Sequence, residues 1–187
     1  MSQTNVLVLV GSLRAASVNR QLAETAVAVA PEGAEVIVFD GLGEVPFYNE
    51  DIDVAGSIPA VEALRDAAGR ADALLLLTPE YNGTIPAVLK NAIDWISRPY
   101  GTGAVKDKPV AVISASPSGN GAQWAHEDTR KAVRIAGGKV LEDVTLAIGG
   151  TIDKFGDRHP RENAEVAQQI ADVVAGLVDA TKELVDA

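Results

Sequence analysis

Short apolar runs and amphipathic segments alternate along this chain, and that alternation restricts its fold more than any other feature. The runs are Asn5–Val10 (NVLVLV), Glu35–Asp40 (EVIVFD), Asp72–Thr78 (DALLLLT) and Pro109–Ser116 (PVAVISAS). A weaker fifth, Lys139–Ile148 (KVLEDVTLAI), follows a Gly-Gly break. Near-continuous apolar runs of this length read as strands covered on both faces. Between them, apolar residues fall at helical spacing: Leu22, Ala26, Val27 and Ala30, then Val61 and Leu64, then Ile85, Val88, Leu89, Ala92, Ile93 and Ile96. Val166, Ile170, Val173, Val174, Leu177 and Val178 mark a last helix. Repeated strand–helix alternation predicts a parallel sheet with helices on both faces. Five strands suit the order 2-1-3-4-5, in which the winding direction reverses between strands 1 and 3. Loops leaving those strands diverge and open a crevice where ligands bind. The segments after strands 1, 3 and 4 are expected to line it. The 187 residues form one expected domain, 1–187.

Composition removes several classes of chemistry. No cysteine is present, which excludes disulfides, thiolate metal ligands, iron–sulfur clusters and a cysteine nucleophile. His126 and His159 stand far apart and in no metal-ligand spacing, so no metal site is expected. The formal charge of −10 repels phosphate backbones and argues against a nucleic-acid partner. No apolar run reaches the ~18 residues of a membrane span. The N-terminus shows no basic region followed by an apolar core, so the cytosol is the expected compartment.

Three loops carry the candidate chemistry. The first, GSLRAASVN (Gly11–Asn19), runs from a strand into a helix. A helix N-terminus offers free N–H groups and about half a positive charge. Ser12, Ser17 and Asn19 add neutral donors, and Arg14 adds a cation. The set suits a phosphate monoester; an ordinary turn with Ser17 as N-cap is the alternative. The loop lacks the three glycines of a dinucleotide fingerprint and the Gly-Lys-Ser/Thr of a nucleoside-triphosphate loop. The second loop, TPEYNGTIP (Thr78–Pro86), places Glu80, Tyr81, Asn82 and Gly83 between two prolines. Thr84 is expected to cap the next helix, and that helix argues against a hairpin at Asn-Gly. The loop suits a flat heteroaromatic ligand; a surface tyrosine beside a plain turn is the alternative. The third, SASPSGNGAQW (Ser114–Trp124), has small residues that let backbone approach a ligand, and a helix begins after Gly121. A flexible Ser/Gly loop is its alternative. All three are expected on one rim.

These stretches, GSLRAASVNRQLA, TPEYNGTIPAVLKNAIDWISRP and the Gly-rich loop near Gly119, resemble the NADPH-dependent FMN reductase family, a flavodoxin-like group that includes quinone and chromate reductases. The similarity runs from about Val6 to Gly150, and its second motif continues through Lys90, Asn91, Asp94 and Trp95. The resemblance implies a flavodoxin-like three-layer sandwich, bound FMN, and NADPH or NADH as co-substrate. It implies that Ser12, Arg14, Ser17, Val18 and Asn19 hold the FMN phosphate. Pro79, Glu80, Tyr81, Asn82 and Gly83 would line the isoalloxazine ring. Ser116, Gly119, Asn120 and Gly121 would lie near its pyrimidine side. Family members often carry a second glycine beside Gly121 and a basic residue soon after; here Ala122, Gln123 and Trp124 stand there. The resemblance also implies a homodimer or homotetramer, with the loop of Pro46, Phe47 and Tyr48 and the helix of Trp95 at its interface; core packing is the other reading of Trp95.

The expected reaction passes hydride from NAD(P)H to FMN N5, then electrons to a small molecule: a quinone, free flavin, an azo compound or a metal oxyanion such as chromate. The flavin carries the chemistry and the protein supplies position, so no side chain is assigned as acid or base. A flavodoxin-type electron carrier and a non-catalytic interaction domain are the competing classes.

Overall fold

The computed structural model describes residues 3–185. Its strands are β1 (Thr4–Val10), β2 (Ala34–Val38), β3 (Ala73–Thr78), β4 (Pro109–Ala115) and β5 (Lys139–Ile148). All neighbouring pairs are parallel, in the order β2-β1-β3-β4-β5. The helices are α1 (Val18–Ala28), α2 (Pro59–Arg70), α3 (Ala87–Ile96), α4 (Gln123–Ala136), the short α5 (Thr151–Phe155) and the long α6 (Ala164–Val185). No described helix is long and apolar enough to cross a membrane.

Alternation along the strands sorts the core into two layers. Val6, Val8 and Val10 of β1 pack with Leu22 and Ala26 of α1 and with Ile170, Val174 and Leu177 of α6. Leu7 and Leu9 point to the opposite face, toward Leu64 of α2, Leu89 and Ile93 of α3, and Val133 of α4. Every residue of β3 and β4 is buried, which is why those runs are apolar without alternation. The edge strands β2 and β5 mix buried and exposed positions. The apolar runs overshoot some element ends: β2 stops at Val38 and α1 at Ala28.

The long segment after β2 is tied to α3. Asn91 Oδ1 accepts from the Tyr48 N–H at 2.8 Å, and Asn91 Nδ2 donates to the Pro46 carbonyl at 2.9 Å. Trp95, one turn later, donates its indole N–H to the same carbonyl at 2.8 Å. Tyr48 meets the Trp95 ring edge-on at 4.9 Å, and the Arg65 guanidinium lies 5.3 Å over it. Trp95 is fully buried within its own chain, so core packing is its role here. Phe47 stays exposed.

Candidate functional site

The loops after β1, β3 and β4 leave the C-terminal edge of three adjacent strands. In the first loop, the Gly11 N–H continues the β1–β3 ladder by donating to Leu77 at 2.7 Å. A Cβ on Gly11 would stand 3.2 Å from both the Leu77 carbonyl and the Pro79 ring, so only glycine fits without a shift. Ser17 occupies the N-cap of α1 in an extended conformation, yet its hydroxyl makes no cap hydrogen bond. The leading N–H groups of α1, those of Val18 and Asn19 among them, therefore lack the side-chain acceptor a capping serine provides. Asn19 is almost fully buried. Its Nδ2 donates to the Ala115 carbonyl at 3.2 Å, which ties α1 to the end of β4. That bond fixes the amide and leaves Oδ1 buried with no partner among the described residues. Arg14 is exposed and makes no ion pair among the described residues. Beside this loop opens a cavity of about 330 Å³, walled by Ser12, Leu13, Arg14, Arg20, Phe39 and Asp40. Asp40 is engaged there: it pairs with Arg20, and its hydrogen bond raises the arginine pKa.

The second loop departs from expectation. Tyr81 and Thr84 exchange backbone hydrogen bonds of 3.2 Å in an isolated antiparallel bridge. Asn82 (φ 53) and Gly83 (φ 75) turn the corner, both left-handed. Asn-Gly thus makes its usual tight turn even though a helix follows. Thr84 does not cap α3, whose N-cap is Pro86; its hydroxyl donates to Asp128 on α4 at 2.5 Å. Glu80 also reaches α4, where its carboxylate accepts from the Ala125 N–H at 3.1 Å. A carboxylate in the first turn of a helix is favourable for the dipole. Tyr81 is half exposed, and its hydroxyl lies 3.5 Å from Ser12 Oγ, joining the first two loops.

The third loop is held from within. Ser116 and Ser118 hydroxyls meet at 2.7 Å, and Ser118 donates to Asn120 Oδ1 at 2.6 Å. Asn120 Oδ1 also accepts from the Ala122 N–H at 3.2 Å. The Gly121 N–H donates to Ser118 at 3.3 Å. Gly119 and Asn120 keep N–H groups without a partner among the described residues. A Cβ on Gly149 would fall 2.6 Å from the Gly119 carbonyl, so a glycine lets the loop rest on the turn after β5. Gly121 (φ 64) and Ala122 (φ 61) are consecutive left-handed residues. Behind them lies His126, buried on α4, which touches Ser114 and Thr145. Burial, and then the charge of Arg130, push its pKa down to about 4 against a smaller opposing pull from Glu127. The ring is therefore neutral near pH 7.

The structure thus brings the three loops to one edge of the sheet, with direct contacts between Ser12 and Tyr81, between Glu80 and α4, and between Asn19 and the end of β4, while the cavity beside them is walled by the first loop and the end of β2. Sequence reasoning missed His126, Thr145 and Asp128. The one signal for His126 was its place among Ala125, Thr129 and Val133 on the buried face of α4.

Known proteins resemble this chain closely. A family profile described as NADPH-dependent FMN reductase matches residues 4–153. A quinone reductase of Pseudomonas putida is 39% identical over 158 residues, covering 84% of each chain. An NAD(P)H-dependent FMN reductase of Pseudomonas aeruginosa is 41% identical over 128 residues, 68% of each chain. Among solved structures, the flavoenzyme NAD(P)H:(acceptor) oxidoreductase FerB of Paracoccus denitrificans superposes with a TM-score of 0.85 at 32% identity, over 96% of this chain and 98% of that one.

Proposed function

The chain belongs to the NADPH-dependent FMN reductase family and is an FMN-dependent NAD(P)H oxidoreductase acting on a small-molecule acceptor, and we propose that its three loops hold the flavin with the phosphate on α1 and the ring between the second and third loops. The observation that carries this placement is the unmet set around α1: a helix start without a side-chain cap, an orphaned Asn19 Oδ1 and an unpaired Arg14. A phosphate answers the first and third, since it accepts from N–H groups and from a guanidinium. Asn19 Oδ1 only accepts, so it fits a hydroxyl of the cofactor rather than the phosphate, while the Asn19 backbone N–H stays with the phosphate donors. Ser12, Ser17 and Val18 complete that end. Pro79 to Gly83 offer backbone to the ring; the Glu80 carboxylate is engaged with α4 and serves to hold the loop. Ser116 and Gly119 to Gly121 approach the ring from the other side, where the free N–H groups of Gly119 and Asn120 favour negative charge.

Bound FMN supplies the electron chemistry, taking hydride from NAD(P)H and passing electrons to the acceptor. The chain's contribution is to fix the flavin and leave one side of the crevice open for each substrate in turn. A quinone is the acceptor we favour, because relatives 38 to 39% identical over 84% of the chain carry that name. The cytosol and a homo-oligomer remain part of this reading; sedimentation of the purified protein tests the second. The activity is tested by adding NADPH anaerobically to FMN-loaded protein, then a quinone. The yellow absorbance should bleach and return. Colour that persists after NADPH contradicts the assignment.

A further inference from the structure

Ser114 on β4, His126 on α4 and Thr145 on β5 form one hydrogen-bonded chain that ends on the third loop. Ser114 Oγ lies 2.7 Å from the Gly121 carbonyl oxygen. His126 Nδ1 lies 3.0 Å from Ser114 Oγ, and Thr145 Oγ1 lies 2.6 Å from His126 Nε2. The last link sets every direction. A carbonyl only accepts, so Ser114 spends its single proton on Gly121. Ser114 Oγ then accepts from the ring, which puts the imidazole proton on Nδ1. Nε2 is left bare and accepts from Thr145. A neutral histidine in one tautomer satisfies all four groups.

We propose that His126 is a positioning residue for the cofactor: through Ser114 it fixes the Gly121 carbonyl, and with it the Gly119–Gly121 turn that faces the flavin. The proposal rests on the placement of FMN argued above. Ala122 holds a left-handed conformation directly after a left-handed Gly121, which an alanine does not favour unaided. Anchoring the Gly121 carbonyl on the sheet selects that arrangement. In it the Ala122 N–H meets Asn120 Oδ1, and the N–H groups of Gly119 and Asn120 stay free for a ligand. The same first turn of α4 takes the Glu80 carboxylate, and Asp128 just beyond takes Thr84. A shift at Gly121 therefore reaches the second loop as well. A side chain present only to fill space would need neither the ring nitrogens nor their two hydroxyl partners.

The test is FMN affinity of the apoprotein, read by flavin fluorescence well below the unfolding temperature. His126→Leu should weaken binding about tenfold, the scale of one lost buried hydrogen bond. Ser114→Ala should do the same, and the double variant should be little weaker than either, because both break one chain. His126→Asn, whose amide nitrogen can replace Nδ1, should restore most of the affinity. Val174→Ala, which opens the core on the α6 side of the sheet, lowers stability and should leave affinity unchanged. Unchanged affinity in Ser114→Ala overturns the proposal even if His126→Leu fails to fold. So do effects that multiply, or a Val174→Ala loss as large as that of His126→Leu. Ser12→Ala separates the two levels. If it weakens FMN while the Ser114 and His126 variants do not, the site stands and this role of His126 falls. If none of them changes affinity, the placement of the flavin falls too.

Discussion

The first loop and the third loop leave the same edge of the sheet and are built in opposite ways. Around the first, polar groups are left over: α1 lacks a side-chain cap, and among the described residues Asn19 Oδ1 has no partner and Arg14 has no counter-ion. Around the third, the side-chain polar groups are consumed: Ser116, Ser118 and Asn120 bind one another, and Gly121 is held by Ser114 with His126 and Thr145 behind it, which leaves the N–H groups of Gly119 and Asn120 free among the described residues. An orphaned buried acceptor costs free energy, so a ligand that satisfies it gains that amount on binding. A loop satisfied internally gains less from a ligand but presents a fixed shape to it. The difference teaches that one end of the site supplies affinity and the other supplies geometry.

Perturbations of the two regions should therefore differ in kind. The largest effect is expected at the first loop. Riboflavin, which lacks the phosphate, should bind about a thousandfold more weakly than FMN, since each charge-assisted hydrogen bond contributes about 2 kcal/mol. Equal affinities in a fluorescence titration would erase the contrast.

Next comes acid stability, which belongs to the third region. His126 is buried neutral, with a pKa lowered from 6.5 to about 4. Between those values the unfolded chain binds more protons than the folded one. Stability is thus full above pH 6.5 and falls as the pH drops toward about 4, by about 1.4 kcal/mol for each pH unit well inside that window. Urea unfolding at pH 7 and pH 4.5 should show a smaller loss in His126→Asn than in the parent chain. Parallel losses would remove His126 from the account.

Gly149→Ala should cost about 2 kcal/mol of stability, since its Cβ meets the Gly119 carbonyl backbone at 2.6 Å. It should also weaken FMN binding by moving the third loop. A thermal scan and a titration read the two effects separately. The smallest change is expected from Ala122→Gly. It relieves a left-handed alanine and should stabilise the chain by up to about 1 kcal/mol, reduced by the loss of a buried methyl. A clear loss of stability would show that packing of the methyl outweighs the backbone term.

Much of this molecule is written in local pattern. The unbroken apolar runs of β3 and β4 announce strands buried on both faces, and the strand order matches the 2-1-3-4-5 arrangement that five such strands suit. The β5 run was located to its ends, Lys139 and Ile148. What escaped the sequence depends on partners distant along the chain. Glu80 reads as a loop acid until Ala125, 45 residues on, supplies its N–H. Thr84 looks like a helix cap until Asp128 takes its hydroxyl. The turn at Asn82–Gly83 is legible by residue type, and the helix that follows argues against it only in appearance: a single bridge at Tyr81 and Thr84 needs only four residues, and the helix waits until Ala87. Trp95 reads from sequence as either core or interface, and its full burial, with the indole N–H on Pro46, places it in the core.

The most direct measurement is a crystal structure of the protein grown in excess FMN. The account predicts phosphate density against the N–H groups at the start of α1, within reach of Ser12 and Arg14, and ring density between Tyr81–Gly83 and Gly119–Gly121. Flavin density at another face, or a phosphate pointing away from α1, would contradict it.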